Sequence, residues 1–188
     1  MIGTDIVIID TETTGLDAPS PTKIELQPYI TEFYGVRLTR DFKFISEVDT
    51  MVKPPVPISE EITKITGITQ ADVDSAPAFI NVYDKIYDLF EGVNFIVGHN
   101  IMFDLRILTY ELFRHDFQNK FHFPKHMMCT VELSKHYLNK RLTLQKLHEH
   151  LFGFEFVGAH RARSDVEATA KCFIEMVKRG EIDLENYK

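Results

Sequence analysis

Asp10 and Glu12 stand two residues apart at the end of an unbroken apolar run, Ile6-Val7-Ile8-Ile9. A short apolar run bounded by turn residues reads as a strand covered on both faces. Successive side chains of a strand point to opposite faces, so Asp10 and Glu12 project from the same side. Two carboxylates held together at the end of a buried strand repel each other unless a cation lies between them. The pair is therefore a candidate site for a divalent metal ion.

Two other places put acidic residues or histidine beside a strand or helix end. In His99-Asn100-Ile101-Met102-Phe103-Asp104, Asp104 falls one turn into a helix. In His160-Arg161-Ala162-Arg163-Ser164-Asp165, Asp165 opens the final helix and His160 lies in the loop before it. Taken singly, each has a plain structural reading. Carboxylates favour the positive end of a helix dipole, and a lone histidine is more often a surface or hydrogen-bonded residue than a catalyst. Phe103 alone reads equally as an ordinary core phenylalanine, and Arg161 and Arg163 as solvated surface residues. The combination is far more specific than its parts.

The elements that must position these residues follow from pattern. Strand-like stretches cover 29–38 and 42–52, joined by a hairpin turn at Thr39-Arg40-Asp41. Lys53-Pro54-Pro55-Val56-Pro57 then stops the sheet, because proline cannot donate to a ladder. Ser59 caps a helix over 60–66, Thr69 caps a short turn, and an amphipathic helix runs over 78–90. After the buried strand Phe95-Ile96-Val97, the spacing of Ile101, Leu105, Leu108 and Leu112 puts them on one face of a helix. Further helices are predicted at 131–138 and 144–151. The last starts near Ser164, whose partner Glu167 completes a capping-box pattern, and ends at Lys178-Arg179-Gly180. No repeat or linker divides the chain, which predicts one α/β domain over residues 1–188.

At 188 residues there is material for one full-sized core. No apolar run approaches the roughly 18 residues of a membrane span, and Met1-Ile2-Gly3-Thr4-Asp5 lacks the basic and apolar regions of a signal peptide. Cys129 and Cys172 show no metal or redox spacing and read as buried thiols of a reducing compartment. These features predict a cytoplasmic protein with no membrane association. The net charge of −7 argues against a passive nucleic-acid binder, which usually shows a basic face. A metalloenzyme acting on nucleic acid is compatible with it, since bound ions offset bulk charge.

Asp10-Thr11-Glu12-Thr13-Thr14-Gly15, His99 to Asp104 and His160 to Asp165 resemble, in order and separation, the DxE-TTG, HNxxFD and HxAxxD motifs of the DEDDh (DnaQ-like) 3′→5′ exonucleases. That family is typified by the proofreading epsilon subunit of bacterial DNA polymerase III. Ile65-Thr66-Gly67-Ile68-Thr69 resembles the family's short substrate-side segment, and the likeness runs from about Asp5 to Met176. It implies an RNase H-like mixed β-sheet, first three strands antiparallel, flanked by α-helices. It implies two divalent cations, Mg²⁺ or Mn²⁺, held by Asp10, Glu12, Asp104 and Asp165, with Asp10 bridging both. His160 would be the general base, since an imidazole of ordinary pKa about 6.5 can take a proton from the attacking water. Substrate contacts would fall to Thr13, Gly15, Leu16, Ile65, His99, Asn100 and Phe103, with Leu16 wedging beside a base and Phe103 stacking under one. His99 and Asn100 have helix capping as their alternative, and Arg161 and Arg163, flanking the base, would meet phosphates or equally stand as solvated surface residues.

The function so implied is hydrolysis of phosphodiester bonds from the 3′ end of DNA, single-stranded or frayed, releasing nucleoside 5′-monophosphates in proofreading or repair. An exoribonuclease on the same scaffold is the nearest alternative, because sugar discrimination rests on a few contacts to the 2′-OH. A non-catalytic nucleic-acid-binding module is a third, opposed by the intact set of four carboxylates and a histidine. A DNA polymerase subunit is the protein partner the resemblance offers, and only Glu181 to Lys188 follow the last helix, so no C-terminal tether to one is visible. The loop over 17–28 is longer and richer in proline than is usual in the family.

Overall fold

The computed structural model describes residues 5–19 and 23–187, with side chains except at 136–138. Residues 1–4, which carry most of the N-terminal reading, and 20–22 of the proline-containing loop lie outside the described residues.

Strand β1 (Ile6–Thr13) runs through the apolar stretch and on into the acidic pair. It pairs antiparallel with β2 (Ile30–Leu38), which pairs antiparallel with β3 (Phe44–Met51). The hairpin closes as expected, with Thr39 donating to the Lys43 carbonyl at 2.8 Å. On the other side of β1 the pairing is parallel, to β4 (Phe95–Gly98) and then β5 (His126–Cys129), giving the order β3-β2-β1-β4-β5. The sequence did not announce β5. His126-Met127-Met128-Cys129 is short and has no alternation, so the strand is defined by its partner, β4, rather than by its own pattern.

Among the described residues the helices are α1 (Glu60–Thr66), α2 (Gln70–Asp74), α3 (Phe79–Phe90), α4 (Met102–Arg114), α5 (Thr130–Leu138), α6 (Leu144–Phe152) and α7 (Ala162–Lys178). Ser59 and Thr69 cap as the sequence predicts, and the turn after Thr69 is the short helix α2, closed by a full capping box with Asp72. None of these helices is long and apolar enough to cross a membrane.

The alternation of β1 organises two cores. Val7 and Ile9 face one core with Ile86, Leu105 and Leu108, from α3 and α4. Ile6 and Ile8 face the other with Leu144, Leu147, Val166 and Phe173, from α6 and α7. The sheet is thus covered on both sides, which is why β1 reads as an unbroken apolar run. Cys172 lies wholly within the second core, which pushes its thiol up to about 12, whereas Cys129 is half-buried at the end of β5. At Gly98 the chain turns sharply from β4 toward α4. A Cβ there would meet Ile101 Cδ1 at 2.7 Å, so glycine permits the turn that brings Asp104 to the sheet edge.

Candidate active site

Continuing the same alternation past Ile9 sorts the polar end of β1. Asp10 and Glu12 follow Ile6 and Ile8 to the α6/α7 side, while Thr11 follows Val7 and Ile9 to the α4 side. Asp165, in the first turn of α7, approaches Asp10 and Glu12 so closely that one oxygen from each of the three lies within 4.8 Å of the others. Asp104, in the first turn of α4, is 3% exposed and reaches Thr11 from the opposite face. Its Oδ1 accepts the Thr11 amide at 2.9 Å and the Thr11 hydroxyl at 2.8 Å, leaving Oδ2 uncommitted to that contact. The carboxylates expected from sequence therefore meet as a tight triad with the fourth held against the same strand.

The electrostatics are those of a site built for cations. Burial, then Asp104, Asp165, Glu12 and Glu32, hold the Asp10 carboxyl well above its ordinary range. Burial and the neighbouring Asp165 push Glu12 up to about 8. Burial raises Asp104 to about 7 against the two Thr11 bonds, and Asp165 to about 6 against the His160 amide. Hard oxygen donors crowded at this spacing fit Mg²⁺ or Mn²⁺, whose charge would favour the ionised carboxylates.

His160 lies exposed in the loop before α7, with φ 65°, and its backbone N–H donates to Asp165 Oδ2 at 2.9 Å. Its side chain lines the same cavity as Asp10 and Asp165. His99 also borders this cavity, but its Nδ1 pairs with Thr130 Oγ1 at 2.9 Å. Burial takes its pKa down to about 4, which keeps it neutral. Neither His99 nor Asn100 caps α4: the position before the helix is Ile101, with no side-chain cap bond, and Asn100 is exposed at φ 70°. The capping alternative is thus replaced by a tie from His99 to the start of α5.

Around the other end of β1, Thr13 is buried and its hydroxyl donates to the Gly15 carbonyl at 2.6 Å, shaping the turn that presents Leu16, 84% exposed. Ile65 is half exposed on α1, and Phe103 is half-buried against the α3/α4 core. Both readings of Phe103 thus hold in part, since its ring packs on the core and retains an open face.

Sequence expectations about the start of α7 and about Arg161 are corrected here by Glu32, and the one about Arg163 by two carboxylates of β3. The buried Glu32 carboxylate lies opposite Glu12 on β2, accepts Arg161 Nε and Nη2 at 3.1 and 2.8 Å, and accepts the Ala162 amide at 3.1 Å. Helix α7 therefore begins at Ala162, not near Ser164, and no Ser164–Glu167 capping box forms; the cap comes from across the fold. Arg161 is committed to Glu32, and Arg163 to Asp49 and Glu47 at 2.9 Å each with its guanidinium over Tyr34, so neither is a free phosphate ligand. Glu32 had no motif around it in the sequence. Its only signal was a charged residue in the middle of an apolar strand, Ile30-Thr31-Glu32-Phe33-Tyr34.

The exonuclease family (RNase_T) matches residues 7–173. Among known proteins, the chain is 32% identical over 174 residues to the DNA polymerase III subunit epsilon of Aquifex aeolicus, covering 92% of this chain and 80% of that one. It is 30% identical over 177 residues to the PolC-type DNA polymerase III of Caldanaerobacter subterraneus subsp. tengcongensis, and 32% over 176 residues to the 3′-5′ exonuclease DinG of Bacillus subtilis. It covers 93% and 92% of itself in those matches but spans only 12% and 18% of the two longer proteins. In structure it is similar to Exonuclease X in complex with 5′ overhanging duplex DNA, at TM-score 0.68, 24% identity and coverage of 97% and 96% of the two chains. It is also similar to the nuclease domain of 3′hExo, a DEDDh family member bound to rAMP, at TM-score 0.73, 20% identity and 96% coverage of each chain. The chain belongs to the exonuclease family. Its fold is the RNase H-like one of the DEDDh family member to which it is similar.

Proposed function

We propose that this chain, as one exonuclease domain over residues 1–188, hydrolyses phosphodiester bonds from the 3′ end of DNA and releases nucleoside 5′-monophosphates. The observation that carries this reading is the triad of Asp10, Glu12 and Asp165 within 4.8 Å, with His160 bordering the same cavity. DNA is favoured by the similarity to a polymerase epsilon subunit and to the DNA polymerase III PolC type. Proofreading or repair is the proposed setting, with a DNA polymerase as the partner and the cytoplasm as the location.

Asp10, Glu12 and Asp165 would hold the divalent ions, with Asp104 steadying the second through the oxygen that Thr11 leaves free. Bound there, the ions would neutralise the carboxylates, make a nucleophile of water at neutral pH and stabilise both the attacking and the leaving oxygen. His160 takes the proton from the attacking water as the new P–O bond forms. The bond to the 3′ oxygen of the preceding nucleotide breaks, and that oxygen leaves with the bonding pair and is protonated from solvent. The turn at Thr13 to Leu16, with Ile65, Asn100 and Phe103, receives the terminal nucleotide, where stacking on Phe103 contributes roughly 1–3 kcal/mol. His99 shapes the neighbouring wall by holding α5.

Single strands labelled at either end, incubated with Mg²⁺, test the reading. Stepwise shortening from the 3′ end of DNA is expected; no shortening, or digestion from the 5′ end, refutes it, and faster digestion of matched RNA reassigns the substrate. His160→Ala is expected to slow turnover by roughly 10²–10⁴-fold with Mn²⁺ binding retained. Loss of Mn²⁺ binding in that variant would remove His160 from the role of base. Glu32 acts one step back, fixing the start of the helix that bears Asp165. Glu32→Ala is expected to weaken metal affinity or activity by roughly 10–100-fold, as partners of ligands do, while Glu32→Gln, which still accepts hydrogen bonds, recovers part of it. Equal metal affinity in wild type and Glu32→Ala, by titration, would argue against this.

A further inference from the structure

The segment that carries His160 joins α6 to α7 over residues 153–161 and is held by few contacts. It opens at Gly153, the left-handed cap of α6, and leaves Val157 almost fully exposed. Near its end Gly158 and His160 both take left-handed backbone, at φ 90° and 65°. A residue with a side chain stays in that region only where its surroundings impose it. From the α7 end, the His160 N–H is fixed on Asp165. From the α6 end, among the described residues, the backbone of 154–159 makes one hydrogen bond to another element. His148 of α6 supplies it, its Nδ1 lying 2.8 Å from the Phe154 carbonyl. The Lys146–Glu155 ion pair nearby is at the surface, where such pairs contribute little.

His148 is an unusual residue for its place. It is 2% exposed on the buried face of α6, beside Leu144, Leu147 and Leu151. An apolar side chain would pack there as well, so the hydrogen bond is what histidine adds. A carbonyl only accepts, so Nδ1 carries the proton and donates it. The ring also lies against Phe152, Phe154 and Phe156, with centroids 4.7, 5.2 and 5.6 Å away. Phe156, between Phe154 and His160, lines the same cavity as Asp10, His160 and Asp165.

We propose that His148 is a positioning residue for catalysis: by holding the Phe154 carbonyl, it sets the loop so that the His160 imidazole reaches the attacking water. The inference rests on the reading of this chain as a 3′→5′ exonuclease with His160 as base. A general base must lie within hydrogen-bond reach of the proton it takes. A loop released at Phe154 lets the stretch from Val157 to His160 swing, and the imidazole leaves that reach. Asp165 is anchored separately, because Arg161 and Ala162 at the start of α7 are held by Glu32. Release of the loop therefore slows the chemical step and leaves the metal ligands in place.

Two substitutions separate the hydrogen bond from the packing. His148→Asn keeps a donor, since its amide nitrogen falls where the imidazole has Nδ1, and loses the ring. His148→Phe keeps a ring and loses the donor. On a 3′-end DNA substrate with Mg²⁺, kcat in His148→Phe is expected to fall about 10–100-fold, with KM and Mn²⁺ affinity within about twofold of wild type. His148→Asn is expected to melt at a lower temperature than His148→Phe and yet to turn over faster. In a His160→Ala background, adding His148→Phe is expected to cost less than about twofold, because the group it positions has gone. Turnover that follows melting temperature in the two variants would make His148 a packing residue and overturn the inference. So would an equal loss from His148→Phe in both backgrounds, or unchanged kcat in that variant, while wild type remains active. Wild-type protein inactive on the substrate would overturn the exonuclease reading itself, and the role of His148 with it.

Discussion

Asp10→Ala is expected to abolish exonuclease turnover and, at the same time, to raise the melting temperature of the metal-free protein. The first effect follows from position. Asp10 belongs to the triad with Glu12 and Asp165, borders the cavity lined by His160, and sits on the strand that also holds Asp104 through Thr11. A metal-ion site contributes several kcal/mol of transition-state stabilisation, so losing the central ligand lowers kcat/KM by at least about 10³-fold. The second effect follows from repulsion. Asp10 lies among Asp104, Asp165, Glu12 and Glu32, each of which disfavours its charge. Removing it relieves that repulsion where nothing neutralises it. Turnover on a 3′-end substrate and thermal melting in chelator, both near pH 8, check the pair of outcomes. Appreciable activity in the variant, or a lowered melting temperature in chelator, would contradict the assignment of Asp10.

The metal-free protein is expected to lose stability as pH rises from about 5 to 8, and divalent ions to restore it. Glu12 is pushed up to about 8 from an ordinary 4.5, chiefly by burial, and Asp104 and Asp165 are raised to about 7 and 6. In the unfolded chain these groups lose their protons near pH 4, so between there and pH 8 the folded state binds more protons than the unfolded one. Stability is then fully present below the unfolded value and is lost through the folded one. We expect about 2 kcal/mol over that interval, a fall of roughly 4–8 °C in melting temperature for a chain of this size. Saturating Mg²⁺ or Mn²⁺ should flatten the curve at its alkaline end, because a ligand that binds only the native state stabilises it. Melting of the chelated protein across this range is the measurement. A flat or rising profile would mean that Glu12, Asp104 and Asp165 do not hold their protons in the folded, metal-free protein.

The parts of this site that were legible in sequence share one property: each is written locally. Asp10 and Glu12 follow a strand whose two covered faces leave an unbroken apolar signature, and Asp104 and Asp165 lie in first helical turns next to recognisable strand and loop ends. The order β1 to β3, the caps at Ser59 and Thr69, and helices α1, α3, α4 and α6 were readable for the same reason. What escaped was set by contacts distant in sequence. Strand β5 exists because β4 offers it an edge. The start of α7 is fixed by Glu32 across 130 residues, which overrides the local capping pattern at Ser164. Arg161 and Arg163 looked like phosphate ligands only because the carboxylates that hold them lie on β2 and β3.

That same separation bears on when the domain becomes a nuclease. The bond from Thr11 to Asp104 spans 93 residues, and Asp165 is delivered by a helix whose first residues are anchored to Glu32 across 129 and 130 residues. No stretch of chain shorter than nearly the whole domain brings the carboxylates together. A nascent polypeptide on the ribosome, or a molecule whose α7 has peeled away, keeps every acidic residue and yet has nowhere to seat the ions. Cutting power is thus withheld until synthesis has passed Asp165 and the last helix has docked, a safeguard that comes from topology alone.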